Sequence, residues 1–136
     1  MIHIFIDTDI ILDFLGDRKP FSKYSAKLFL EVHNNSVKLY TSSNSITTAY
    51  YMLGKIVNNK QARELIVNLL EFINIIPVTD TILNTSLKSD FKDFEDAVQH
   101  YCALTNDKIK LLITRNLKDY KKSQIKTLSP EQFFVK

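Results

Sequence analysis

The 136-residue chain has few of the residues that mark disordered, disulfide-bonded or membrane-spanning proteins. With only 2 glycines and 3 prolines, long disordered stretches are not expected. Cys102 is the single cysteine, which excludes an internal disulfide and suits a reducing compartment. The sequence contains no run of about 18 apolar residues, so no membrane span is predicted. The first residues do not resemble a signal peptide. We therefore expect a cytoplasmic protein.

The rest of the composition is that of an ordinary globular domain. Hydrophobic residues make up 45% of the chain and charged residues 24%, a balance typical of folded proteins. This length can bury a sizeable core in one unit, so we expect a single domain over residues 1–136. The net charge of +3 permits a nucleic-acid partner but by itself does not predict one.

Short apolar runs alternate with longer amphipathic segments, which predicts strands alternating with helices. Strands separated by helices predict parallel crossovers, and hence an α/β fold with helices on both faces of the sheet. Pro77 suggests that the third strand lies near a sheet edge. The predicted strands are 2–6, 37–40, 73–78, 111–114 and 125–128. The predicted helices are 8–15, 22–33 with Ser22 as cap, 43–56 capped by Ser42 or Ser43, 61–72, 79–89, 94–104 capped by Asp93, and one that begins at Pro130 after Ser129.

Acidic and amide side chains follow the first and fourth predicted strands, at the point where each strand ends. In parallel sheets, ligands bind beyond the carboxyl ends of the strands. A helix that begins nearby carries two further acids three residues apart, on one helical face. We therefore expect these side chains to converge at one rim of the sheet. They are Asp7, Asp9, Asp93, Asp96, Asn116 and Asp119.

Each of these residues also has an ordinary structural explanation. Asp7 or Asp9 could cap the first helix, and Asp93 suits a helix cap better than a ligand. Asp96, in the first turn of its helix, could simply favour the helix dipole. The two polar residues after the fourth strand could belong to a turn. Convergence of the whole set at one rim is harder to explain in this way.

Carboxylates that converge need a cation. Like charges at short range raise one another's pKa, and a hard divalent cation such as Mg²⁺ relieves the repulsion. Such a cation can orient a water for in-line attack on a phosphodiester. The sequence therefore predicts metal-assisted phosphodiester chemistry. His100, in contrast, is expected to be packed or solvated rather than a ligand, and Cys102 to be a small core residue.

Four stretches of the sequence carry a family resemblance when they are taken together. They are residues 4–13 (IFIDTDIILD), 42–53 (SSNSITTAYYML), 93–97 (DFEDA) and 114–120 (TRNLKDY). They resemble the PIN-domain family of nucleases, which includes VapC-like toxins of bacterial toxin–antitoxin pairs. The resemblance spans nearly the whole chain and implies a three-layer α/β/α sandwich with a parallel sheet of about five strands.

The same resemblance implies roles for individual residues. Asp7, Asp96 and Asp119 would be the catalytic residues and the ligands of Mg²⁺ or Mn²⁺, with Asn116 as the alternative to Asp119. Basic side chains would contact RNA, with Arg18, Arg115 and Lys118 as candidates. The residues expected to support the site are Asp9, Asn44, Thr48, Asp93, Thr114 and Asn116.

One acid of the family pattern is missing. Most active members carry a Glu early in the third helix, where this sequence has Thr48, and no carboxylate lies between Glu31 and Glu64. Asn44 or Thr48 could instead orient a metal-bound water. The resemblance thus implies an Mg²⁺- or Mn²⁺-dependent endoribonuclease. It also implies that the protein forms a homodimer and is inhibited by an antitoxin. The missing acid leaves open a catalytically impaired PIN scaffold that binds RNA or a protein.

Two other families that cluster aspartates fit the sequence less well. A haloacid-dehalogenase-type phosphatase also places Asp-x-Asp after its first strand, as in Asp7-Thr8-Asp9, but Ile10-Ile11 does not suit the small turn that should follow. A signalling receiver domain needs a phosphoacceptor Asp at the end of a central strand, and none follows Tyr40.

Overall fold

A computed structural model describes residues 1–135, in which strands and helices alternate. The strands are β1 (Ile2–Ile6), β2 (Val37–Ser42), β3 (Ile73–Ile76), β4 (Leu111–Ile113) and β5 (Lys126–Leu128). The α-helices are α1 (Thr8–Leu15), α2 (Ser22–His33), α3 (Ser43–Leu53), α4 (Asn59–Leu69), α5 (Asp80–Leu87), α6 (Phe94–Leu104) and α7 (Pro130–Phe134), and a 3₁₀ turn covers Leu117–Tyr120.

The strands form one parallel sheet in the order β3-β2-β1-β4-β5. In the central strand β1, Ile4 lies beside Leu39 of β2 on one side and Leu111 of β4 on the other. The chain builds outward from β1 through β2 to β3, and then returns to the other side of β1. This reversal is the switch point at which α/β folds open a crevice at the carboxyl ends of the strands.

Alternate side chains of β1 enter two separate cores, one on each face of the sheet. Ile4 and Ile6 pack with residues of α1 to α4, whereas Phe5 packs with residues of α5 and α6. All three are fully buried, and each such side chain contributes about 2 kcal/mol to folding. The predicted α/β/α sandwich with five parallel strands is therefore confirmed, with β3 at one edge as Pro77 suggested.

Three of the predicted helix caps are present. The side chains of Ser42, Asp93 and Ser129 each accept the backbone N–H of the third residue along, at 3.0 Å. The prediction that Ser22 caps α2 is wrong, because α2 begins at Ser22 itself and the N-cap position falls on Phe21. The backbone N–H of Ser22 instead donates to the carbonyl of Arg18 in a preceding turn.

The predicted ends of α3, α4 and β3 are also corrected. Helix α3 ends at Leu53 rather than at residue 56, with Gly54 at its C-cap. Helix α4 begins at Asn59, earlier than predicted, because the Asn58 side chain caps it, and it ends at Leu69 rather than at residue 72. Strand β3 stops at Ile76 because Pro77 has no N–H to donate and the N–H of Val78 donates to the Ser43 hydroxyl.

His100 and Cys102 are core residues of α6, as expected, and both are fully buried. His100 Nε2 accepts the backbone N–H of Gln124 at 3.0 Å, and its ring lies 4.8 Å from that of Phe91. Burial lowers the pKa of His100 to about 4, so the ring is neutral at pH 7. Burial likewise raises the pKa of the Cys102 thiol to about 12.

Among the described residues, no helix is long and apolar enough to cross a membrane.

Candidate active site

Asp7 lies at the switch point, directly after β1. It occupies the N-cap position of α1, but its side chain does not cap that helix. Its carboxylate instead turns into the crevice and is only 4% exposed. Oδ1 accepts a hydrogen bond from Gln99 Nε2 at 2.6 Å, and Oδ2 accepts one from Thr114 Oγ1 at 2.8 Å. The helix-cap explanation is therefore wrong for Asp7.

Asp96 reaches the same crevice from the first turn of α6. Its backbone N–H donates to the Asp93 cap, while its own carboxylate points inward and the residue is 8% exposed. The buried hydroxyl of Tyr120 lies 3.3 Å from Asp96 Oδ1 and 3.5 Å from Asp7 Oδ2. Both distances are long for an O–H···O hydrogen bond. One weakly bonded phenol thus stands between two carboxylates.

The electrostatics of the crevice oppose the ionised carboxylates. Burial, followed by the charges of Asp7, Asp93 and Asp119, raises the pKa of Asp96 to about 7. Burial also raises the pKa of Asp7, against the lowering effect of its hydrogen bonds from Thr114 and Gln99. The pKa of Tyr120 is raised by burial and by both acids, so its hydroxyl keeps its proton. The crevice therefore holds negative charge that its own donors only partly balance.

Asp13 shows how this chain balances a buried acid for structural purposes. Its fully buried carboxylate accepts hydrogen bonds from Arg18 Nε at 2.9 Å and Arg115 Nε at 2.7 Å. The Arg115 guanidinium also lies 3.9 Å from the centre of the Phe21 ring. In the part of the chain that the structure describes, no Lys, Arg or His forms an ion pair with Asp7 or Asp96. Both predicted RNA-contacting arginines are thus held by Asp13, and their contact with RNA stays a prediction.

Asp9 and Asn116 form an outer layer beside Asp7. Asn116 Nδ2 donates to Asp9 Oδ2 at 3.0 Å, and Arg18 Nη2 lies 3.6 Å from Asp9 Oδ1. Thr114 accepts the backbone N–H of Asn116 at 3.0 Å, which ties this layer to the donor that binds Asp7. Asn116 is exposed, so its amide can reach a ligand only at the mouth of the crevice.

Asp119 lies outside the buried pair, on the 3₁₀ turn. It is exposed, and it acts on Asp96 through charge. A cleft of about 290 Å³ opens here and alternates acidic with basic side chains. Lys118, a predicted RNA contact, is part of its wall. The cleft is lined by Asp90, Phe91, Lys92, Asp93, Lys118, Asp119, Lys121 and Lys122.

The third helix approaches Asp7 through a residue that the sequence did not single out. Asn44 is exposed and Thr48 is half-buried, and neither forms a side-chain hydrogen bond to Asp7 among the described residues. Ser45 instead donates to Gln99 Oε1 at 2.7 Å. It is this serine that links α3 to Asp7, through Gln99.

Sequence reasoning missed four residues of this site. Gln99 follows Asp96 by three residues and so shares its helical face, which is a usable signal. Tyr120 directly follows Asp119 but was given no role. Glu95 is also influenced by the site electrostatically. Desolvation, followed by the charges of Asp7, Asp93 and Asp9, raises its pKa. Nothing in the sequence marks Ser45 beyond its place in the first turn of α3.

Within residues 1–135, no three acidic, histidine or cysteine side chains are grouped closely enough to form a ready-made metal site. Mg²⁺ in proteins is often held by one or two carboxylates, with waters and substrate oxygens as its other ligands. Asp7 and Asp96, on either side of the Tyr120 hydroxyl, are the carboxylates that could serve in this way.

Comparison with known proteins agrees with this geometry. Residues 3–118 match the model of the PIN-domain family. The chain belongs to the PIN-domain family. This PIN domain is similar to Ribonuclease VapC1 of Aquifex aeolicus (strain VF5), with 32% identity over 137 residues that cover 96% of this chain and 92% of that protein.

Two solved structures share the PIN fold of this chain at low sequence identity. VapBC2 from Rickettsia felis, bound to a DNA fragment from its promoter, matches with a TM-score of 0.70 and 18% identity, over 94% of this chain and 98% of that one. A toxin–antitoxin complex from Klebsiella pneumoniae matches with a TM-score of 0.66 and 22% identity, over 93% and 97%. These two likenesses show the fold.

The electrostatic strain at Asp96 predicts a gain in stability when its charge is removed. We expect Asp96→Asn to raise the free energy of unfolding by about 1–2 kcal/mol at pH 8, because the folded state disfavours the ionised carboxylate. The folded pKa of about 7 lies above the ordinary value of 3.8, so wild-type stability falls as the pH rises towards 7. The gain should therefore shrink at pH 5, as measured by urea unfolding with EDTA present.

Asp90→Asn is the matched control, since Asp90 is an exposed aspartate. Equal gains in the two variants at pH 8, or a gain for Asp96→Asn that does not depend on pH, would contradict this account of the crevice.

Proposed function

We propose that this chain is a VapC-like toxin ribonuclease that hydrolyses RNA phosphodiester bonds with Mg²⁺ or Mn²⁺. One observation carries the proposal: Asp7 and Asp96 are buried together at the switch point of a PIN fold with no basic partner among the described residues. Perturbed carboxylates of this kind are typical of functional sites. The similarity to Ribonuclease VapC1 supports RNA as the substrate.

The donor set suits a hard divalent cation, because carboxylate oxygens are the ligands that Mg²⁺ prefers. Asp7 and Asp96 would hold the cation, with Asp119 as the third acid at the mouth of the crevice. When bound, the cation supplies positive charge and activates a water near neutral pH. Thr114 and Gln99 each donate to a different oxygen of Asp7. The remaining lone pairs of this carboxylate can therefore still bind a cation.

The lysines of the cleft beside Asp119 are suited to the RNA backbone. Lys92, Lys118, Lys121 and Lys122 line it together with acidic groups. Lysines attract phosphates as mobile point charges, without reading base sequence. We propose that they place a phosphodiester beside Asp96 and Asp119. Arg18 and Arg115 would approach RNA only with the guanidinium atoms that Asp13 leaves free.

A second candidate is a PIN scaffold that binds RNA without cutting it. The specific observation in its favour is that α3 presents Ser45 and Thr48, rather than a carboxylate, on the side where the family pattern has Glu. With one acid fewer, the crevice has less negative charge to hold a cation. Membership of the PIN-domain family removes the phosphatase and receiver alternatives.

Cleavage of a mixed RNA pool separates the two candidates. We expect wild type to cut RNA with Mg²⁺ or Mn²⁺ and not with EDTA. Asp7→Asn and Asp96→Asn should each lower the rate by at least about a hundredfold, because each removes a carboxylate that would hold the cation. Asp107→Asn, at an exposed aspartate outside this cleft, should keep most of the activity. Folded wild type that does not cut under any of these conditions would favour the scaffold.

We propose further that the chain acts in the cytoplasm as a homodimer controlled by an antitoxin. The similarity to a solved toxin–antitoxin complex supports the antitoxin. An apolar groove of about 420 Å³ between α1, α2 and α4 suits an apolar segment of such a partner. Leu30 and Phe72, which line this groove, are 56% and 41% exposed, so the groove belongs to a contiguous exposed apolar patch of the kind that marks protein interaction sites.

Charge placed in the groove should disrupt the complex. We expect Leu30→Glu to weaken binding of the proposed antitoxin partner by at least about tenfold, since burying an unpaired carboxylate costs several kcal/mol. Leu87→Glu is the matched control, because Leu87 is an exposed leucine of α5 on the opposite face of the sheet. Equal binding by both variants would exclude the groove as the docking surface.

Light scattering of the free chain tests the proposed dimer, for which we expect the mass of two chains.

A further inference from the structure

Asp7 is held by a chain of hydrogen bonds that reaches back to α3. Gln99 Nε2 donates to Asp7 Oδ1 at 2.6 Å, Ser45 Oγ donates to Gln99 Oε1 at 2.7 Å, and Thr8 Oγ1 donates to Ser45 Oγ at 2.8 Å. Ser42 Oγ lies 3.0 Å from Ser45 Oγ. Three elements, α1, α3 and α6, thus converge on one oxygen of Asp7.

We propose that Gln99, oriented by Ser45 and Thr8, is a positioning residue through which α3, without the carboxylate of the family pattern, acts on Asp7 and sets it to receive a divalent cation. The inference rests on the proposed function. It assigns the contribution of α3 to Ser45, acting through Gln99, rather than to Asn44 or Thr48. Gln99 is not itself proposed to touch substrate.

The polarity of the chain of hydrogen bonds follows from the chemistry of its members. An ionised carboxylate only accepts hydrogen bonds, so the amide nitrogen of Gln99 must face Asp7. The amide oxygen then faces Ser45, whose hydroxyl must donate to it. The Ser45 oxygen is left to accept from Thr8. Each hydroxyl therefore has a fixed role, and the Gln99 amide has one favoured orientation.

Burial makes this arrangement rigid. Gln99 is 2% exposed, Ser45 is 1% exposed and Ser42 is fully buried. A buried amide that lost its hydrogen-bond partners here would destabilise the fold by about 1–3 kcal/mol. The amide of Gln99 is therefore held in the orientation that satisfies both of its hydrogen bonds. The backbone N–H of Ser45 also donates to Ser42 Oγ, the cap of α3, at 3.0 Å. The start of α3 is in this way coupled to the oxygen atoms of Asp7.

A neutral amide at this point changes what the site can bind. A carboxylate within hydrogen-bond distance of Asp7 would add one negative charge for a cation and would repel Asp7 in its absence. Gln99 instead stabilises the ionised Asp7 without adding charge. Replacing the amide of Gln99 with a carboxylate would therefore add, beside Asp7, the charge that the family pattern places on α3.

The test is Mn²⁺ binding by isothermal titration calorimetry, without RNA. We expect Gln99→Met to weaken Mn²⁺ binding by at least about tenfold, the usual effect of removing a group that orients a metal ligand. Ser45→Ala should weaken it less, because Gln99 keeps its bond to Asp7, and Thr48→Ala should leave it unchanged. Gln99→Glu should strengthen binding by about tenfold, as added ligand charge does. Gln61→Glu, at an exposed position of α4, controls for the added charge.

Each outcome decides the inference separately from the proposed function. Wild type that cuts RNA with Mg²⁺, with unchanged Mn²⁺ affinity in Gln99→Met, would overturn the inference alone. Thr48→Ala weakening binding more than Ser45→Ala would also overturn it. Wild type that binds Mn²⁺ more tightly than Gln99→Met does, but cuts no RNA, would contradict the proposed nuclease and support the inference. Wild type that binds no Mn²⁺ would overturn both. Ser45→Ala, a small truncation, keeps the test valid if Gln99→Met does not fold.

Discussion

The carboxylate of Asp7 is buried at the carboxyl end of the central strand, and a buried carboxylate must be met by donors. Thr114 supplies one from the end of β4, and Gln99 supplies another from α6. These donors are far from Asp7 in sequence, and they meet it because β1 lies between β2 and β4 in the sheet. Strand order, the crevice and the start of α6 are thus all tied to one side chain.

Two buried aspartates of the chain, six residues apart, are treated in opposite ways. Asp13 is enclosed by the guanidinium groups of Arg18 and Arg115, which neutralise it. Within the part of the chain that the structure describes, Asp7 has only neutral donors, and the neighbouring Asp96 adds further negative charge. The first arrangement serves the fold. The second keeps an unbalanced charge that costs stability, as functional sites do.

The sequence was sufficient for the parts of the fold that depend on local patterns. Apolar runs such as 2–6 predict buried strands, and the rule that ligands lie beyond the ends of parallel strands predicts that Asp7 and Asp96 converge. The family resemblance added their chemistry. Cap residues such as Asp93 were also predictable, because a cap acts within three residues of itself.

The partners of these acids were not predictable in the same way. Tyr120 and Gln99 contact Asp7 across separations of 113 and 92 residues. The spacing of Gln99 from Asp96 places it on the same helical face but does not identify Asp7 as its partner. Asp13 was not expected to join Arg115, because that pairing depends on the packing of the loop after β4 against α1.

The central claim is that Asp7 and Asp96 together form the cation site of this PIN domain. Crystals soaked in Mn²⁺ test it most directly, because the anomalous signal of manganese locates the ion without reference to any model of its ligands. The account predicts a manganese peak in direct contact with carboxylate oxygens of both residues, with the Gln99 amide still bonded to Asp7. A peak confined to the exposed cleft at Asp119, or no peak at saturating Mn²⁺, would contradict it.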